Sequence, residues 1–481
     1  MAGHPNPGHS ITLRVSAPAG MSSTSELAVA TTEAGAAVTA LDIVESSPDS
    51  MIVDVSCNTI DDDHAARVAE ALGALDGVSV QHVSDRTFLM HLGGKLSVEA
   101  KSPLRTRDDL SRAYTPGVAR VCKAIAANPE SARNLTIKRN TVAVVTDGTS
   151  VLGLGDIGPA AAMPVMEGKA VLFKQFAGVD AWPVCLDTKD TEKIIEIVKA
   201  IAPTYGGINL EDIAAPRCFE IERRLREELD IPVFHDDQHG TAIVVLAALI
   251  NALRVVDKKI EDVRIVVSGV GAAGHAIIQL LIAHGARHIV GVARKGALHR
   301  GETYQDEHRA WIAEHTNEED FSGTLAEAVA GADVFVGVSA PDLLTAEDIA
   351  TMNERAVVMA LANPDPEIHP VEAAKHAMVV ATGRSDFPNQ INNVLAFPGL
   401  FRGLLDAGAS EVTTELLVAA ATAIADCVDA DELNPSFIVP SVFNPRVAKD
   451  VAAAVHQAAR ATGTALPETP EGAAPLPEVT P

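Results

Sequence analysis

The residues best suited to metal chemistry are two adjacent pairs of carboxylates. Glu211 and Asp212 come shortly after the apolar turn segment YGGIN, and Asp236 and Asp237 follow the strand-like segment IPVF. Both pairs are therefore expected at strand ends, where parallel sheets bind their ligands. Because hard cations such as Mg²⁺ and Mn²⁺ prefer oxygen ligands, the two pairs predict a divalent-metal site.

Two other interpretations of this region stay open on the sequence alone. His235 and His239 are four residues apart and could bind zinc, although the geometry of a strand end would splay them. Alternatively, the carboxylates could be surface residues close to the N-cap of a helix that begins near Thr241.

A glycine-rich turn further along the chain predicts a nucleotide site. The apolar strand VRIVVSG is followed at once by GxGxxG spacing and then by the helical segment AIIQLLIAHG. The pyrophosphate of a dinucleotide would bind the backbone N–H groups at this helix N-terminus. The predicted cofactor-binding residues of the turn are Gly269, Gly271, Ala272, Ala273 and Gly274.

The end of the next strand bears on the choice between NAD and NADP. An acidic residue normally binds the ribose hydroxyls there, but the segment HIVGVARKG has Ala293, followed by Arg294 and Lys295. Two cations without a carboxylate would accommodate a 2′-phosphate, so the segment is compatible with NADP as well as with NAD. Arg294 and Lys295 are equally consistent with solvated surface residues.

Another glycine run lies nearer the N-terminus. Gly153, Gly155 and Gly158 follow an apolar strand in the segment TVAVVTDGTSVLGLGDIGP. Tight turns with a positive φ need glycine whether or not they bind a ligand. The run is therefore as consistent with a structural turn as with the lining of an active site.

Composition limits the partners and the compartment. The 481 residues carry a formal net charge of −26, which would repel nucleic acid and anionic membrane surfaces. The five cysteines are widely spaced and form no CxxC motif, so a reducing, cytoplasmic setting is expected. The longest apolar stretch, from Thr241 to Leu253, is too short to cross a bilayer, and we predict no export signal.

Residues 11–92 predict a small domain with the element order βαββαβ. This order is the ferredoxin-like arrangement. The length of the segment and the turn at Gly20 resemble the ACT regulatory domain. That resemblance implies pairing with a second copy and a small-molecule effector at the interface, whereas many other ferredoxin-like domains share the same topology.

From residue 93 onward, alternating strands and helices predict an α/β architecture with parallel sheets. We expect a substrate and metal domain at 93–250, followed by a Rossmann NAD(P)-binding domain with C-terminal helices at 251–460. The segments rich in proline, glycine and small polar residues at 1–10 and 461–481 predict disordered tails.

Seven segments in order resemble malic enzymes in their short bacterial form. They are LSRAYTPGVA, VVTDGTSVLGLGDIGPAAAMPVMEGKAVLFKQFAG, NLEDIAAPRCFEIE, VFHDDQHGTA, VSGVGAAG, ALANPDPE and GRSDFPNQINNVLAFPG. The resemblance implies an oxidoreductase of malate metabolism that oxidatively decarboxylates L-malate to pyruvate and CO₂. It also implies NAD or NADP, Mg²⁺ or Mn²⁺, and assembly as a homodimer or homotetramer.

The resemblance assigns catalytic and metal roles by motif. Tyr114 is similar to the family's general acid, which protonates the enolate after CO₂ leaves, and Lys169 to the base that removes the C2 hydroxyl proton. The tyrosine would need a dry position near a cation, and the lysine a depressed pKa. Asp236 matches the carboxylate that works alongside the lysine. The implied metal ligands are Glu211, Asp212 and Asp237.

The resemblance also concerns substrate binding. Asn363, Asn392 and Asn393 match asparagines that contact substrate or nicotinamide, and Tyr114 and Lys169 are expected to contact the substrate as well. Larger members of the family carry an arginine at the position of Ser150. Because a serine does not form a bidentate contact, the group that binds the corresponding carboxylate of malate stays open.

Two other functions stay open at this point. A sensor could bind an effector at residues 11–92 and a nucleotide at the Rossmann domain without turnover, although retention of Tyr114, Lys169 and the acidic ligands speaks against it. A dehydrogenase for amino acids or folates would need no carboxylate metal site, so the response to EDTA would distinguish it.

Overall fold

A computed structural model of the chain describes residues 4–20 and 22–466. The chain forms two compact units, residues 1–97 and 98–481. The predicted tails lie outside the described residues at positions 1–3 and 467–481. Elsewhere the structure differs from the predicted tails. Residues 6–10 begin a strand because their backbone pairs with the strand that ends at Thr59, and residues 461 and 462 complete the last helix.

The N-terminal unit follows the expected order βαββαβ, with a short helix after the last strand. Its elements are β1 (Asn6–Pro18), α1 (Ser23–Glu33), β2 (Ala37–Ser46), β3 (Ser50–Thr59), α2 (Asp62–Gly73), β4 (Ser79–Asp85) and α3 (Arg86–His91). The sheet is antiparallel in the pairs β2–β3, β3–β1 and β1–β4. This order is the ferredoxin-like arrangement.

Alternating apolar residues explain why this sheet buries one face. Leu13 and Val15 of β1 and Val53 of β3 are completely buried, while the residues between them are not. Leu27 of α1 and Leu72 of α2 join the same apolar cluster. The period of two in the strands therefore directs one face of the sheet against both helices.

The second unit opens with helices and then forms a parallel sheet. Its elements up to residue 256 are α4 (Arg107–Ala113), α5 (Val118–Ala127), α6 (Ala132–Leu135), β5 (Thr141–Thr146), α7 (Pro159–Ala177), β6 (Asp180–Cys185), α8 (Thr191–Ile201), β7 (Gly207–Leu210), α9 (Arg217–Glu228), β8 (Val233–His235) and α10 (Thr241–Val256). The strand order is β6–β5–β7–β8, with every neighbouring pair parallel. A π-helical turn, Asp236–Gly240, joins β8 to α10.

The remainder of the unit is a second, doubly wound sheet followed by helices. Its elements are β9 (Arg264–Ser268), α11 (Ala272–Ala283), β10 (His288–Ala293), β11 (Gly296–Ala297), α12 (Glu307–His315), α13 (Leu325–Val329), β12 (Val334–Gly337), α14 (Ala346–Ala350), β13 (Val357–Ala360), α15 (Pro370–Ala373), β14 (Val379–Thr382), α16 (Phe397–Ala407), α17 (Thr414–Asp426) and α18 (Pro445–Thr462). The strand order is β11–β10–β9–β12–β13–β14, and only the short β11 runs antiparallel. The winding reverses between β9 and β12, which is where such sheets bind dinucleotides.

One apolar core joins the two sheets of this unit. Val142 of β5 and Ile265 of β9 belong to the same buried cluster, to which α10 contributes most of its length. The predicted domain boundary at residue 250 lies within α10. The helical run Asp236–Val256 has 21 residues and would be long and apolar enough to cross a membrane, but 72% of its most apolar part is buried inside the protein. The run exceeds the sequence-based expectation because the π-helical turn extends α10.

Candidate active site

Strands β7 and β8 bring the two acidic pairs together. Leu210, the last residue of β7, pairs with His235, the last residue of β8, and an acidic pair follows each of them directly. One carboxylate oxygen from each of Glu211, Asp212 and Asp237 lies within 4.8 Å of the other two. The three side chains form a carboxylate cluster at the carboxyl end of the sheet.

The carboxylate cluster has the properties of a cation site. Glu211 and Asp212 are buried, and Asp212 Oδ2 has no hydrogen-bond partner among the described residues. Burial and the neighbouring Asp237 raise the pKa of Asp212 to about 7, and burial raises the pKa of Glu211 well above its usual value. A divalent cation would offset the repulsion among these groups, and three oxygen donors suit Mg²⁺ or Mn²⁺.

Lys169 of α7 lies against the carboxylate cluster. Its Nζ is 2.7 Å from Asp236 Oδ2 and 3.0 Å from Glu211 Oε1, and it lies 4.1 Å from the centre of the Phe397 ring. Burial lowers the pKa of Lys169, but Asp236 and Glu211 together raise it by more, so the net pKa lies above the ordinary lysine value. These contacts do not produce the depressed pKa expected from the sequence, because two carboxylates face the amine.

Asp236 contacts Lys169, whereas the next residue, Asp237, belongs to the carboxylate cluster. Its buried Oδ2 also accepts a hydrogen bond from Asn393 Nδ2 at 3.0 Å, and Thr241 Oγ1 donates to Asn393 Oδ1 at 3.3 Å. A Cβ atom on Gly240 would lie 2.2 Å from Asp236 Oδ1. Only glycine therefore fits at position 240, and Asn393 lies beside Asp236.

The other two predicted asparagines are placed differently. The Oδ1 atom of Asn392 accepts a hydrogen bond from Val394 N at 3.0 Å, so its contact is a local helix cap. Asn363 is exposed in the loop after β13. Its side chain lies beside Gly383, where a Cβ atom would be 3.3 Å from Asn363 Oδ1.

The loop between β5 and α7 lies beside both Asp212 and Asn363. Gly153, Gly155 and Gly158 all have a positive φ, so the turn itself requires them. The same loop lines the site, because Ser150 N donates to the main-chain oxygen of Asp212 at 3.0 Å. A Cβ atom on Gly153 would also lie 3.4 Å from the main-chain oxygen of Asn363.

The histidines considered as zinc ligands have other environments. His239 Nε2 lies 2.8 Å from Glu222 Oε1, and the ring of His235 is completely buried. Within residues 4–20 and 22–466, the carboxylate cluster is the only group of three or more ligand side chains close enough to share a metal. The structure therefore favours the carboxylate site over the zinc site.

Tyr114 occupies a different environment from the one expected. It follows α4 and is 68% exposed. Helices α4 and α5 bury none of their residues. No described element of the second unit covers the tyrosine, so the dry position expected for it is not found within that unit.

The GxGxxG turn has the backbone geometry of a nucleotide site. Gly269 has a φ of +95°, and a Cβ atom there would lie 2.6 Å from Val338 O. A Cβ atom on Gly274 would lie 1.7 Å from Gly269 O, so α11 packs directly on the turn. A Cβ atom on Gly271 would meet no described atom within 4 Å. The first and third glycines are thus required for packing, and the second leaves the backbone open to a pyrophosphate. Ala272 and Ala273 begin α11 at this point.

Ala293, Arg294 and Lys295 lie at the end of β10, beside that turn. Gly269 N donates to Val292 O at 3.0 Å. The segment lines a cavity of about 720 Å³, which also has Glu302 and Glu327 in its wall. This volume is typical of small-molecule sites, and both charge signs occur in the lining.

Comparison with known proteins identifies the family. The description "Malic enzyme, N-terminal domain" matches residues 93–226, and "Malic enzyme, NAD binding domain" matches residues 238–460. The two matches cover most of the chain. The chain belongs to the malic enzyme family.

Several malic enzymes are similar over long stretches. The NAD-dependent malic enzyme of Geobacillus stearothermophilus is 58% identical over 95% of this chain and 95% of its own length. The NADP-dependent malic enzyme of Escherichia coli is 47% identical over 77% of this chain and 51% of its own length. The crystal structure of malic enzyme from Pyrococcus horikoshii shares 49% identity and a TM-score of 0.75, covering 78% of this chain and 89% of that chain. These comparisons confirm the predicted α/β fold class and the malic enzyme resemblance.

One residue that organises this malic enzyme site was missed in the sequence. Glu222 is buried on α9 and accepts hydrogen bonds from Gln238 Nε2 at 3.0 Å and His235 N at 3.3 Å, in addition to its contact with His239. It thereby holds the π-helical turn that carries Asp236 and Asp237. A glutamate on the buried face of an amphipathic helix was the available signal.

Proposed function

We propose that the chain oxidatively decarboxylates L-malate to pyruvate and CO₂, with reduction of NAD or NADP and dependence on Mg²⁺ or Mn²⁺. The observation that carries the proposal is the contact of Lys169 with Asp236 at 2.7 Å, directly beside the carboxylate cluster. The names of the similar enzymes support the same activity.

Lys169 is the group proposed to remove the proton from the C2 hydroxyl of malate. It must first give up its own proton, and positive charge bound at Glu211 would lower its pKa toward that state. The hydrogen bond to Asp236 orients the amine and offers an acceptor for the proton. Asn393, which donates to the same oxygen of Asp236, fixes that carboxylate.

The groups that bind from solution supply the remaining chemistry. A divalent cation held by Glu211, Asp212 and Asp237 would stabilise negative charge on the substrate oxygens, an effect of several kcal/mol. Bound nicotinamide would supply the hydride acceptor. The open backbone at Gly271 supports binding of the pyrophosphate at the start of α11, and Asn363, Asn392 and Asn393 are proposed to contact substrate or nicotinamide.

The proposed assembly is a homodimer or homotetramer. Tyr114 lies in a part of the second unit with many exposed apolar side chains, including Leu104, Leu110, Val121 and Leu135. Exposed apolar surface of this kind marks protein interfaces. A second copy that covered this surface would exclude water from Tyr114 and allow it to protonate the enolate.

Residues 11–92 are proposed to be an ACT-like domain that binds a small-molecule effector. The ferredoxin-like strand order and the edge strands β2 and β4 support this proposal. We also propose that 93–250 binds substrate and metal and that 251–460 binds the nucleotide. The protein is proposed to be cytoplasmic, which is supported by five free cysteines, Cys57, Cys122, Cys185, Cys218 and Cys427.

A malate assay with metal removal tests the proposed activity. We expect L-malate and Mn²⁺ to produce NADH or NADPH, EDTA to abolish this rate, and added Mn²⁺ to restore it. Nucleotide binding without malate turnover would contradict the proposal and favour a sensor. Turnover that was indifferent to EDTA would instead favour a dehydrogenase without a carboxylate metal site.

Replacing Ala293 tests which residues select the cofactor. Ala293→Asp places a carboxylate where the ribose hydroxyls of NAD would bind and a 2′-phosphate would be repelled. We expect the ratio of kcat/KM for NAD to that for NADP to rise by about tenfold or more, which corresponds to about 1.4 kcal/mol, because the new carboxylate would repel a 2′-phosphate. Arg287→Ala, directly before the first residue of β10, serves as the control. An unchanged ratio in Ala293→Asp would show that residues 293–295 do not select the cofactor.

A further inference from the structure

Glu367 is a completely buried carboxylate at the carboxyl end of the nucleotide-binding sheet. Its Oε1 atom accepts hydrogen bonds from Ser339 N at 2.7 Å and Ser339 Oγ at 3.3 Å. Its Oε2 atom accepts a hydrogen bond from Ala362 N at 3.1 Å. Each oxygen therefore binds a different loop.

The loops joined by Glu367 lie at the end of the sheet where the nucleotide is proposed to bind. Ser339 follows β12, and Ala362 follows β13 immediately before Asn363. Ser339 Oγ also lies 3.0 Å from Ser268 Oγ, directly before the first glycine of the GxGxxG turn. One buried carboxylate thus links the ends of β9, β12 and β13, which flank the point where the winding of the sheet reverses.

Strand β12 packs directly against this carboxylate at Gly337. A Cβ atom on Gly337 would lie 2.3 Å from the carboxyl carbon of Glu367 and 2.6 Å from each of its oxygens. Because Glu367 is completely buried and hydrogen-bonded, its carboxylate lacks space to move away from such a Cβ atom. Glycine at 337 and glutamate at 367 are therefore complementary.

We propose that Glu367 is a positioning residue that holds the loops after β12 and β13 in the geometry that binds the nicotinamide half of NAD(P). The inference rests on the proposed function for the identity of the ligand. Glu367 is itself inaccessible and acts through Ser339 and the Ala362–Asn363 main chain. A carboxylate suits this role because it accepts from both loops at once, whereas glutamine offers one acceptor and turns an NH₂ group toward the other N–H.

Direct binding of NADH and NADPH to Glu367→Gln tests the proposal. Fluorescence titration is expected to give a Kd at least about tenfold weaker for the nucleotide that the unmodified protein prefers, because one buried N–H loses its acceptor. Gly337→Ala, whose Cβ would collide with the carboxylate and force β12 and Glu367 apart, is expected to weaken binding similarly. Decarboxylation of oxaloacetate with Mn²⁺, which needs no hydride transfer, should stay within about twofold in both variants.

Asp333→Asn provides a matched control at the opposite end of the same strands. Asp333 accepts hydrogen bonds from Lys258 Nζ at 2.7 Å and Arg264 N at 2.8 Å, so it joins the starts of β9 and β12. Its replacement removes a carboxylate from the same sheet and should leave nucleotide affinity unchanged.

Several results would overturn the proposal. They are unchanged nucleotide affinity in Glu367→Gln, equal weakening in Asp333→Asn, or an equal loss of oxaloacetate decarboxylation in Glu367→Gln. If the unmodified protein bound NADH but never turned over malate, the proposed function would fail, while the predicted order of nucleotide affinities would still test the role of Glu367.

Discussion

Lys169→Ala is expected to lower the rate of malate oxidation by roughly 10²- to 10⁴-fold, the usual contribution of a positioned proton-transfer group. The amine is buried between Asp236 and Glu211, and alanine provides neither a proton acceptor nor a partner for these carboxylates. The measurement is the initial rate of NADH or NADPH formation with saturating L-malate and Mn²⁺.

Lys174→Ala is the matched control on the same helix. Lys174 forms an exposed ion pair with Asp180 at 2.7 Å, and such pairs contribute at most about 1 kcal/mol to stability. Its removal should leave the malate rate within about twofold. Lys169→Met, which keeps most of the apolar stem, should be as inactive as Lys169→Ala. A Lys169→Met enzyme with a rate close to that of the unmodified protein would exclude Lys169 as the base.

Asp237→Asn is expected to weaken Mn²⁺ binding by at least about 100-fold and to abolish malate turnover at micromolar Mn²⁺. Asparagine keeps an oxygen that can accept from Asp212 N, as Asp237 Oδ2 does at 3.0 Å, but it lacks the negative charge. The loop geometry should therefore survive while the cation affinity does not. Electron paramagnetic resonance of free Mn²⁺ measures the binding without any need for turnover.

Glu228→Gln serves as the control for this metal-site variant. Glu228 lies at the end of α9 in an ion pair with Lys199, outside the carboxylate cluster. It should bind Mn²⁺ with unchanged affinity. Equal Mn²⁺ binding by Asp237→Asn and the unmodified protein would remove Asp237 from the metal site, and activity at high Mn²⁺ would then need another ligand set.

The predictions from sequence succeeded where neighbouring residues decide the outcome. The βαββαβ order followed from alternating apolar residues, and the fold class followed from strand and helix patterns that repeat locally. The apolar strand before Gly269 placed the GxGxxG turn at the start of α11. The strands before Glu211 and Asp236 likewise placed both acidic pairs at strand ends.

Other predictions failed where distant segments meet. Residues 6–10 have the composition of a tail but form a strand, because β3 offers their backbone a partner. Lys169 has a raised pKa because its amine contacts Glu211 and Asp236, which follow two different strands, β7 and β8. Glu222 and Glu367 resemble ordinary helix and loop glutamates in the sequence, because the N–H groups that bind them, on Gln238 and Ser339, belong to other segments.

The sequence by itself determined the candidate residues for a metal and a dinucleotide, because residue type and local periodicity set chemical capability and strand position, and the family resemblance added the candidates for malate. Only the tertiary structure decided how these residues are combined. It separates Asp236, which faces Lys169 and Asn393, from its neighbour Asp237 in the carboxylate cluster. It also leaves Tyr114 exposed between two helices, α4 and α5, that bury none of their residues. Contacts between segments far apart in the chain set the burial, the neighbouring charges and the pKa of each side chain. Local sequence patterns do not specify those contacts.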